Sequence, residues 1–138
     1  MSINISTYTK FSEKSLDMFP TNRMIGKLKD AFNDMEGKEN TKKLTENCKD
    51  SGLLAVGLCG NTNEYLPSAG ELMEAFKELE AINLSREFLG FDRIPLAWFW
   101  SSTVRDSDTI WVCYSDGGRY WGGCDGWRRY DGCVVPFL

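Results

Sequence analysis

The chain has no histidine, no apolar run of membrane-spanning length and no excess of positive charge. Without histidine it lacks the commonest general base and metal ligand, which excludes most catalytic-triad and zinc-hydrolase interpretations. The net charge of -4 argues against nucleic-acid binding, because a surface that neutralises phosphates needs a cationic excess. The short apolar runs argue against membrane insertion.

The amino-terminal residues and the cysteines limit the class of protein further. Residues 1–10 lack the apolar stretch of a signal peptide. Five cysteines are an odd number, so a complete disulfide framework is not the default. A chain of 138 residues with 42% hydrophobic content is sufficient for one ordinary globular domain. These limits favour a soluble, single-domain protein that is not an enzyme and needs no cofactor.

The composition changes at Trp100. Residues 1–100 contain nine Lys and ten Glu, whereas residues 101–138 contain neither. The second segment also lacks Asn, Gln, Met and Ala, while it holds six of the thirteen glycines, four Arg and five Asp. One interpretation is a Gly-rich β segment with few helix-forming residues. The other is a recognition surface.

Helices are predicted in the first part of the chain. Apolar residues recur at three- and four-residue spacing from Asn22 to Met35, and Gly37 is placed where a helix would end. A weaker helix is predicted after Asn40, with Leu44 and Cys48 on one face. The short apolar run 53–58 favours a buried strand or loop over a helix.

The best-defined local signal is a helix start at Ser68. Glu71 follows three residues later, so the two side chains fit a capping box. The apolar stripe beyond it predicts a helix over 69–81. A second, short helical turn is predicted over 82–89.

After Arg93 the pattern is that of strands. The segments 97–100 and 109–114 are rich in aromatic and β-branched residues, and 134–138 is apolar enough for a buried final strand. Asp and Gly tolerate positive φ, so turns are predicted at 115–118, 122–123 and 125–126. Helices first and short strands last predict an α+β fold.

Aromatic residues occur throughout the last third, interleaved with Arg, Asp, Ser and Gly. Tyr and Trp supply large contact areas at low entropy cost, and Arg supplies forked donors. On strand-like stretches the indoles are expected in the core: Trp98, Trp100 and Trp111. Among glycines and charges the aromatic side chains are expected on an exposed recognition surface: Tyr120, Trp121, Trp127 and Tyr130.

Six short motifs occur in a fixed order: GKENTKKL from Gly37, YLPSAGEL from Tyr65, WSST from Trp100, a Trp at 111, YSDG from Tyr114 and a closing VVP. They resemble the C-type-lectin-fold domains related to formylglycine-generating enzyme, which are abundant in gut-bacterial and phage proteins. The resemblance covers roughly residues 37–138. It implies two main helices packed on small antiparallel sheets with a long irregular loop region, preceded by a strand and helix segment over 1–36 within one compact domain.

The tail is most similar to the variable region of proteins diversified by retroelements, some of which are phage receptor-binding tips. In these systems a reverse transcriptase changes adenines of a template copy, mostly in AAY codons. Such codons can become Asp, Ser, Gly, Tyr, Arg, Cys, Thr, Ile or Val, but never Lys or Glu. Apart from three Trp, every residue from Val104 to Val135 belongs to that set. The resemblance therefore accounts for the missing Lys and Glu.

The resemblance divides the variable region, about residues 101–138, into fixed and diversified positions. The fixed positions match Trp100 to Thr103, Trp111 and Val134 to Phe137. The diversified positions, with the Trp residues among them, form the candidate ligand-binding surface: Arg105, Asp106, Asp108, Thr109, Arg119, Tyr120, Trp121, Cys124, Asp125, Trp127, Arg128, Arg129, Tyr130 and Asp131. The resemblance implies no catalytic, metal or cofactor site.

The function implied by the resemblance is binding of a host cell-surface protein or glycan by a phage tail-fibre tip, with the protein located in the virion. The missing export signal favours this location over a bacterial cell surface. Tail-tip proteins of this kind are often trimers, so a homo-oligomer stays open.

Three alternatives stay open. A formylglycine-generating type of oxidase would need a redox-active cysteine pair, for which Cys113, Cys124 and Cys133 are candidates by position only. A calcium-dependent lectin would need acidic ligands at alternating positions, whereas the Asp residues here are scattered singly. A structural fibre domain with no ligand would bury loop residues such as Arg128 and Tyr130.

Overall fold

The computed structural model describes residues 8–14, 22–48, 52–59, 63–116, 119–124 and 132–137, the segment 119–124 by its backbone alone. Helices precede strands along this part of the chain, which confirms the predicted α+β class. The elements are α1 (Leu28–Phe32), α2 (Gly37–Asn47), α3 (Leu54–Gly57), α4 (Ala69–Lys77), α5 (Leu79–Phe88), β1 (Trp98–Val104), β2 (Ile110–Tyr114) and β3 (Arg119–Cys124).

The three strands form one antiparallel sheet in the order β1-β2-β3. Trp100 pairs with Val112, which in turn pairs with Trp121. The predicted strands at 97–100 and 109–114 are therefore confirmed, and β1 continues to Val104. The turn predicted at 122–123 is wrong, because both glycines lie inside β3. Glycine marks a strand irregularity as readily as a turn, and the register between β2 and β3 shifts beside them.

The final segment is buried but does not form the continuous strand that was predicted. Val134 and Val135 are almost fully buried. The segment is joined to the rest by single bridges, from Cys133 to Phe99 and from Phe137 to Tyr65. Pro136 has no N–H to donate, which is one reason why a regular ladder does not extend between them.

The helix predicted from Asn22 to Met35 is wrong in extent, since α1 covers only Leu28–Phe32. Met24 instead forms a bridge with Val104, and the N–H of Ile25 donates to the Val104 carbonyl at 2.8 Å. The backbone pairing of Met24 and Ile25 with the end of β1 therefore determines the non-helical conformation here, although the apolar residues have helical spacing.

Gly37 begins α2 rather than ending a helix. Its N–H donates to a carboxylate oxygen of Glu71 at 3.0 Å, and a β-carbon at this position would lie 2.1 Å from the same oxygen. The helix predicted after Asn40 is present, but it starts at Gly37, three residues before Asn40. Leu44 and Cys48 are buried on one face, as predicted.

The run 53–58 contains the short helix α3, so the prediction of a strand or loop is wrong. An apolar run of this length does not distinguish a strand from a buried helical turn. Ala55 is fully buried, and its N–H donates to the carbonyl of Phe11 at 3.1 Å. This contact with a distant part of the chain fixes the turn.

The capping box at Ser68 is confirmed. The Ser68 hydroxyl accepts from the Glu71 N–H at 3.2 Å, and the Glu71 carboxylate accepts from the Ser68 N–H at 2.8 Å. The predicted helix over 69–81 is interrupted at Glu78, where α4 ends and α5 begins. The short turn predicted over 82–89 is thus the larger part of a ten-residue helix.

The core lies between the helices and the sheet, with α4 packed on β1 and β2, α2 packed on β1, and α1 and α5 packed on α4. Trp100 and Trp111 are buried as predicted. Their indole N–H groups donate to the backbone carbonyls of Thr9 and Ile25, at 2.8 and 2.6 Å. Trp98 is only half-buried, because it lies at the start of β1 with its ring against Tyr114.

Substitution of Gly70 by Ala tests the close approach of α4 to the chain before α2. The new β-carbon would lie 2.5 Å from the carbonyl oxygens of both Phe32 and Asp34. We expect a loss of roughly 1–3 kcal/mol in the free energy of unfolding, typical of overpacking against backbone. Urea denaturation measures it. Gly57→Ala is the matched control, since its β-carbon meets nothing within 4 Å. A Gly70→Ala variant as stable as Gly57→Ala would contradict the packing.

Candidate functional site

The loop between β1 and β2 carries four of the residues predicted for the ligand-binding surface. The side chains of Arg105 and Asp106 are 40% and 47% exposed, and Asp108 is exposed. The loop is closed by its own backbone, because the Arg105 N–H donates to the Thr109 carbonyl at 3.0 Å. The structure therefore brings these four residues together at one surface position.

Asp106 organises this loop. One of its carboxylate oxygens accepts from the Thr109 hydroxyl at 2.7 Å and from the Asp108 N–H at 3.2 Å. The other lies 3.4 Å from the Arg105 guanidinium. A carboxylate that accepts a hydroxyl and a backbone N–H in its own loop acts as a turn-stabilising group. The exposed Arg105 fork is then held in place and can donate to a carboxylate or hydroxyl of a ligand.

The pKa of Asp106 is lowered from its ordinary value. Partial burial by itself would raise the pKa. The hydrogen bonds from Thr109 and Asp108 and the charge of Arg105 together lower the pKa by more than burial raises it. Because the pKa is lower in the folded chain than in an unfolded one, the ionised carboxylate stabilises the loop above the usual Asp range. That stabilisation is lost as the pH falls through the folded pKa.

A second group of predicted residues lies in β3. The backbone pairs Arg119 with Tyr114, Tyr120 with Cys113, Trp121 with Val112, and Cys124 with Ile110. Cys124 thus lies opposite the residue that follows the β1–β2 loop. The next predicted residues fall outside the described residues: Asp125, Trp127, Arg128, Arg129, Tyr130 and Asp131.

The WSST motif in β1 is buried, and the side chains of Trp100, Ser101 and Thr103 are hydrogen-bonded. The Ser101 hydroxyl donates to the Trp111 carbonyl at 2.7 Å, which adds a link between β1 and β2. The Thr103 hydroxyl accepts from the Ala69 N–H at 2.8 Å and donates to the Asp34 carboxylate at 2.7 Å. The motif therefore joins the sheet to the first turn of α4 and to the chain before α2.

Asp34 is the residue that sequence reasoning missed. Its side chain is 1% exposed and accepts from the Asn40 amide at 2.9 Å and from the Glu36 N–H at 3.1 Å, with the Arg23 guanidinium 3.3 Å away. Its backbone carbonyl accepts from the N–H of Gly70 and from the Ser68 hydroxyl. An Asp just ahead of a helix start is a capping signal, but its burial depends on contacts that no local pattern contains.

The other quoted motifs meet around Glu71. Besides the N–H groups of Gly37 and Ser68, the Glu71 carboxylate accepts from the Tyr65 hydroxyl at 3.3 Å. The Thr41 hydroxyl lies 3.0 Å from both the N–H and the carbonyl of Leu66. The segments GKENT, YLPSAGEL and WSST are thus joined by one polar network, which ends at Thr103 near the end of β1.

Two of the three cysteines proposed for a redox pair have described side chains. Cys113 and Cys133 are free thiols and fully buried. Burial raises the pKa of the Cys113 thiol to about 12 and that of the Cys133 thiol to about 11, the latter in spite of a hydrogen bond with Tyr8. Since the thiolate is the reactive form, neither thiol is activated near neutral pH.

Comparisons with protein-family models, with curated proteins and with solved structures find no match to this chain. None of the helices in the described residues is long and apolar enough to cross a membrane. The same part of the chain holds no group of three or more acidic or cysteine side chains placed to bind a metal ion.

The loop hydrogen bonds predict an acid-shifted titration of Asp106. Its carboxyl carbon, followed by NMR against pH, should titrate below the ordinary range for Asp. Thr109→Val removes the hydroxyl donor and should raise this midpoint. Ser107→Ala is the control and should leave it unchanged. A midpoint that is the same in all three proteins would show that the Thr109 contact does not form in solution.

Proposed function

We propose that this chain is a ligand-binding protein with a C-type lectin-like fold, whose residues 101–138 are diversified by a retroelement. Its ligand is a host cell-surface protein or glycan, and its location is the tip of a phage tail fibre. The observation that carries the proposal is the contrast between two sets of residues. Ser101 and Thr103, proposed as fixed, are fully buried and bonded to other elements, whereas the described loop positions proposed as variable are half-buried or exposed, and Asp106 among them accepts hydrogen bonds from its own loop.

The arrangement of the chain ends supports a lectin-like fold. Thr9 and Gly132 exchange two backbone hydrogen bonds, each 2.9 Å long. Next to them, Cys133 accepts from the Trp100 N–H at 3.0 Å and donates to the Trp98 carbonyl at 2.8 Å. The first and last described segments are therefore tied together at the free edge of β1. A long irregular region can vary between such fixed ends without loss of the fold.

The proposed binding chemistry combines forked donors with aromatic faces. Arg105 presents its guanidinium on the loop that Asp106 holds closed. The tail adds further predicted contacts of both kinds: Trp127, Arg128, Arg129 and Tyr130. Arg pairs with carboxylates, and aromatic rings supply apolar area with little entropy loss. This combination suits an acidic or carbohydrate-bearing cell surface.

The oxidase alternative has less support. A redox pair that includes Cys113 or Cys133 would need a thiolate, and the pKa of each thiol is raised far above neutrality by burial. The chain also lacks histidine, the usual activator of a catalytic thiol. A non-diversified bacterial surface domain remains the second candidate, since the same loop could bind a ligand without any retroelement.

The division into fixed and variable positions predicts opposite tolerances to substitution. Thr103→Val keeps the side-chain shape but leaves the Asp34 carboxylate and the Ala69 N–H each short of a partner. We expect it to lower the free energy of unfolding by about 2–3 kcal/mol. Asp108→Tyr, a change at an exposed loop position, should alter it by about 0.5 kcal/mol or less. Urea denaturation compares the two. Equal losses would contradict the proposed division.

Binding itself is tested on arrays of bacterial surface glycans and on intact cells of gut bacteria. The wild-type chain should bind a subset of them. A triple variant, Arg128→Ala, Arg129→Ala and Tyr130→Ala, should lose at least tenfold in affinity, because such anchors carry most of the binding energy. Lys38→Ala, a substitution on α2, is the control and should bind as the wild type does. An equal affinity of all three proteins would place the ligand elsewhere.

The neighbouring DNA separates the two candidates. A near-identical repeat that differs from codons 101–138 at adenines, beside a reverse-transcriptase gene, is expected for a retroelement target. Its absence together with intact binding would leave a non-diversified surface domain.

A further inference from the structure

One face of α5 is apolar and turned away from the core. Asn83 is buried, with its amide bonded to the backbone of Ile94 at 2.7 and 3.2 Å. On the opposite side, Leu84 and Phe88 are one turn apart and are 57% and 90% exposed. Leu89 continues this face and is 65% exposed, and all three residues border the same shallow depression.

A further aromatic ring follows the end of α5. Phe91 is half-exposed and lies under the Arg86 guanidinium, 5.5 Å from the ring centroid. We define the α5 patch as Leu84, Phe88 and Leu89. One phenylalanine and two leucine side chains exposed to this degree amount to about 450 Å² of apolar surface, within the range of the largest patch on a monomer. A standard interface of roughly 800 Å² per partner is a little over half apolar, so a patch of this size with a polar rim matches it.

The rim of the α5 patch carries positively and negatively charged side chains that form ion pairs with each other. Arg93 forms ion pairs with Glu87 and, at 3.6 Å, with Glu80. Arg86 donates to the Asp92 carbonyl at 2.6 Å. A two-fold interface places one patch against an identical copy, so a rim with balanced, internally paired charges avoids the repulsion that a single-sign rim would cause. The chain's net charge of -4 is unfavourable for an anionic membrane surface.

We propose that the α5 patch is the interface of a two-fold dimer of this chain. The two copies of α5 would lie antiparallel, with Phe88 of one copy against Leu84 of the other. Because Leu84 and Phe88 are one helical turn apart, the two-fold symmetry forms the contact between them twice, once from each copy. The dimer is independent of the proposed ligand-binding function.

The dimer leaves the candidate binding loop accessible. Ile94, to which α5 is bonded, precedes the start of β1, whereas the loop of Arg105 follows its end. The seven residues of β1 separate these ends by about 20 Å. Two copies joined through α5 would therefore present two loops, which would raise the apparent affinity for a surface that carries many ligands.

Sedimentation or light scattering over a concentration series tests the dimer. The wild-type mass should rise reversibly from 15.7 kDa to twice that value with concentration. Phe88→Arg should weaken dimerisation at least tenfold and leave the circular dichroism spectrum unchanged, since this side chain is exposed. Leu28→Arg is the matched control, because it introduces the same charge at an exposed leucine on α1 and should dimerise as the wild type does.

Three results would overturn the proposal. The first is a wild-type chain that stays at 15.7 kDa at all concentrations. The second is a Phe88→Arg variant that dimerises as tightly as the wild type. The third is a trimer that requires Phe88, which would exclude the two-fold geometry. A monomeric wild type that binds phosphatidylcholine vesicles through Phe88 would assign the patch to a lipid surface instead.

Discussion

The buried carboxylate of Asp34 is the interaction on which the arrangement of the domain depends. A carboxylate removed from water costs several kcal/mol unless donors surround it. Here the donors come from three separate parts of the chain: Arg23 ahead of α1, Asn40 and Glu36 around the start of α2, and Thr103 at the end of β1. None of these segments can move away alone without leaving a buried polar group unpaired.

The same network explains why short motifs far apart in the sequence belong together. Gly37 and Gly70 have no β-carbon because carboxylate and carbonyl oxygens occupy that space. Glu71 caps α4 and also accepts the first N–H of α2, so one side chain positions both helices. The end of β1 is therefore held by the hydrogen bonds of Thr103 to Ala69 in α4 and to Asp34 before α2. The loop that follows it is joined by its own hydrogen bonds around Asp106, so the proposed variation there would act on the loop rather than on this network.

Elements that depend on neighbouring residues could be predicted from the sequence, and elements that depend on distant contacts could not. The capping box at Ser68 and the strands around Trp100 and Trp111 carry their signals locally. The segment around Met24 has helical spacing, but its pairing with Val104 lies eighty residues away in the chain. Of the candidate site, the position of the β1–β2 loop followed from the strands on either side. Asp34 did not, because an Asp ahead of a helix gives no sign that Thr103 will cover it.

The fold separates two kinds of surface that would interfere if they overlapped. The β1–β2 loop is held by hydrogen bonds around Asp106 and exposes polar side chains, so a change of one residue there does not create a large apolar area. The exposed apolar area on α5 instead comes from a segment with no proposed variable position. A constant apolar face permits the same association in every variant, whereas an apolar variable face would make association depend on the variant. The proposed diversity in binding and the proposed dimer are compatible, because the residue bonded to α5 precedes β1 whereas the loop follows it.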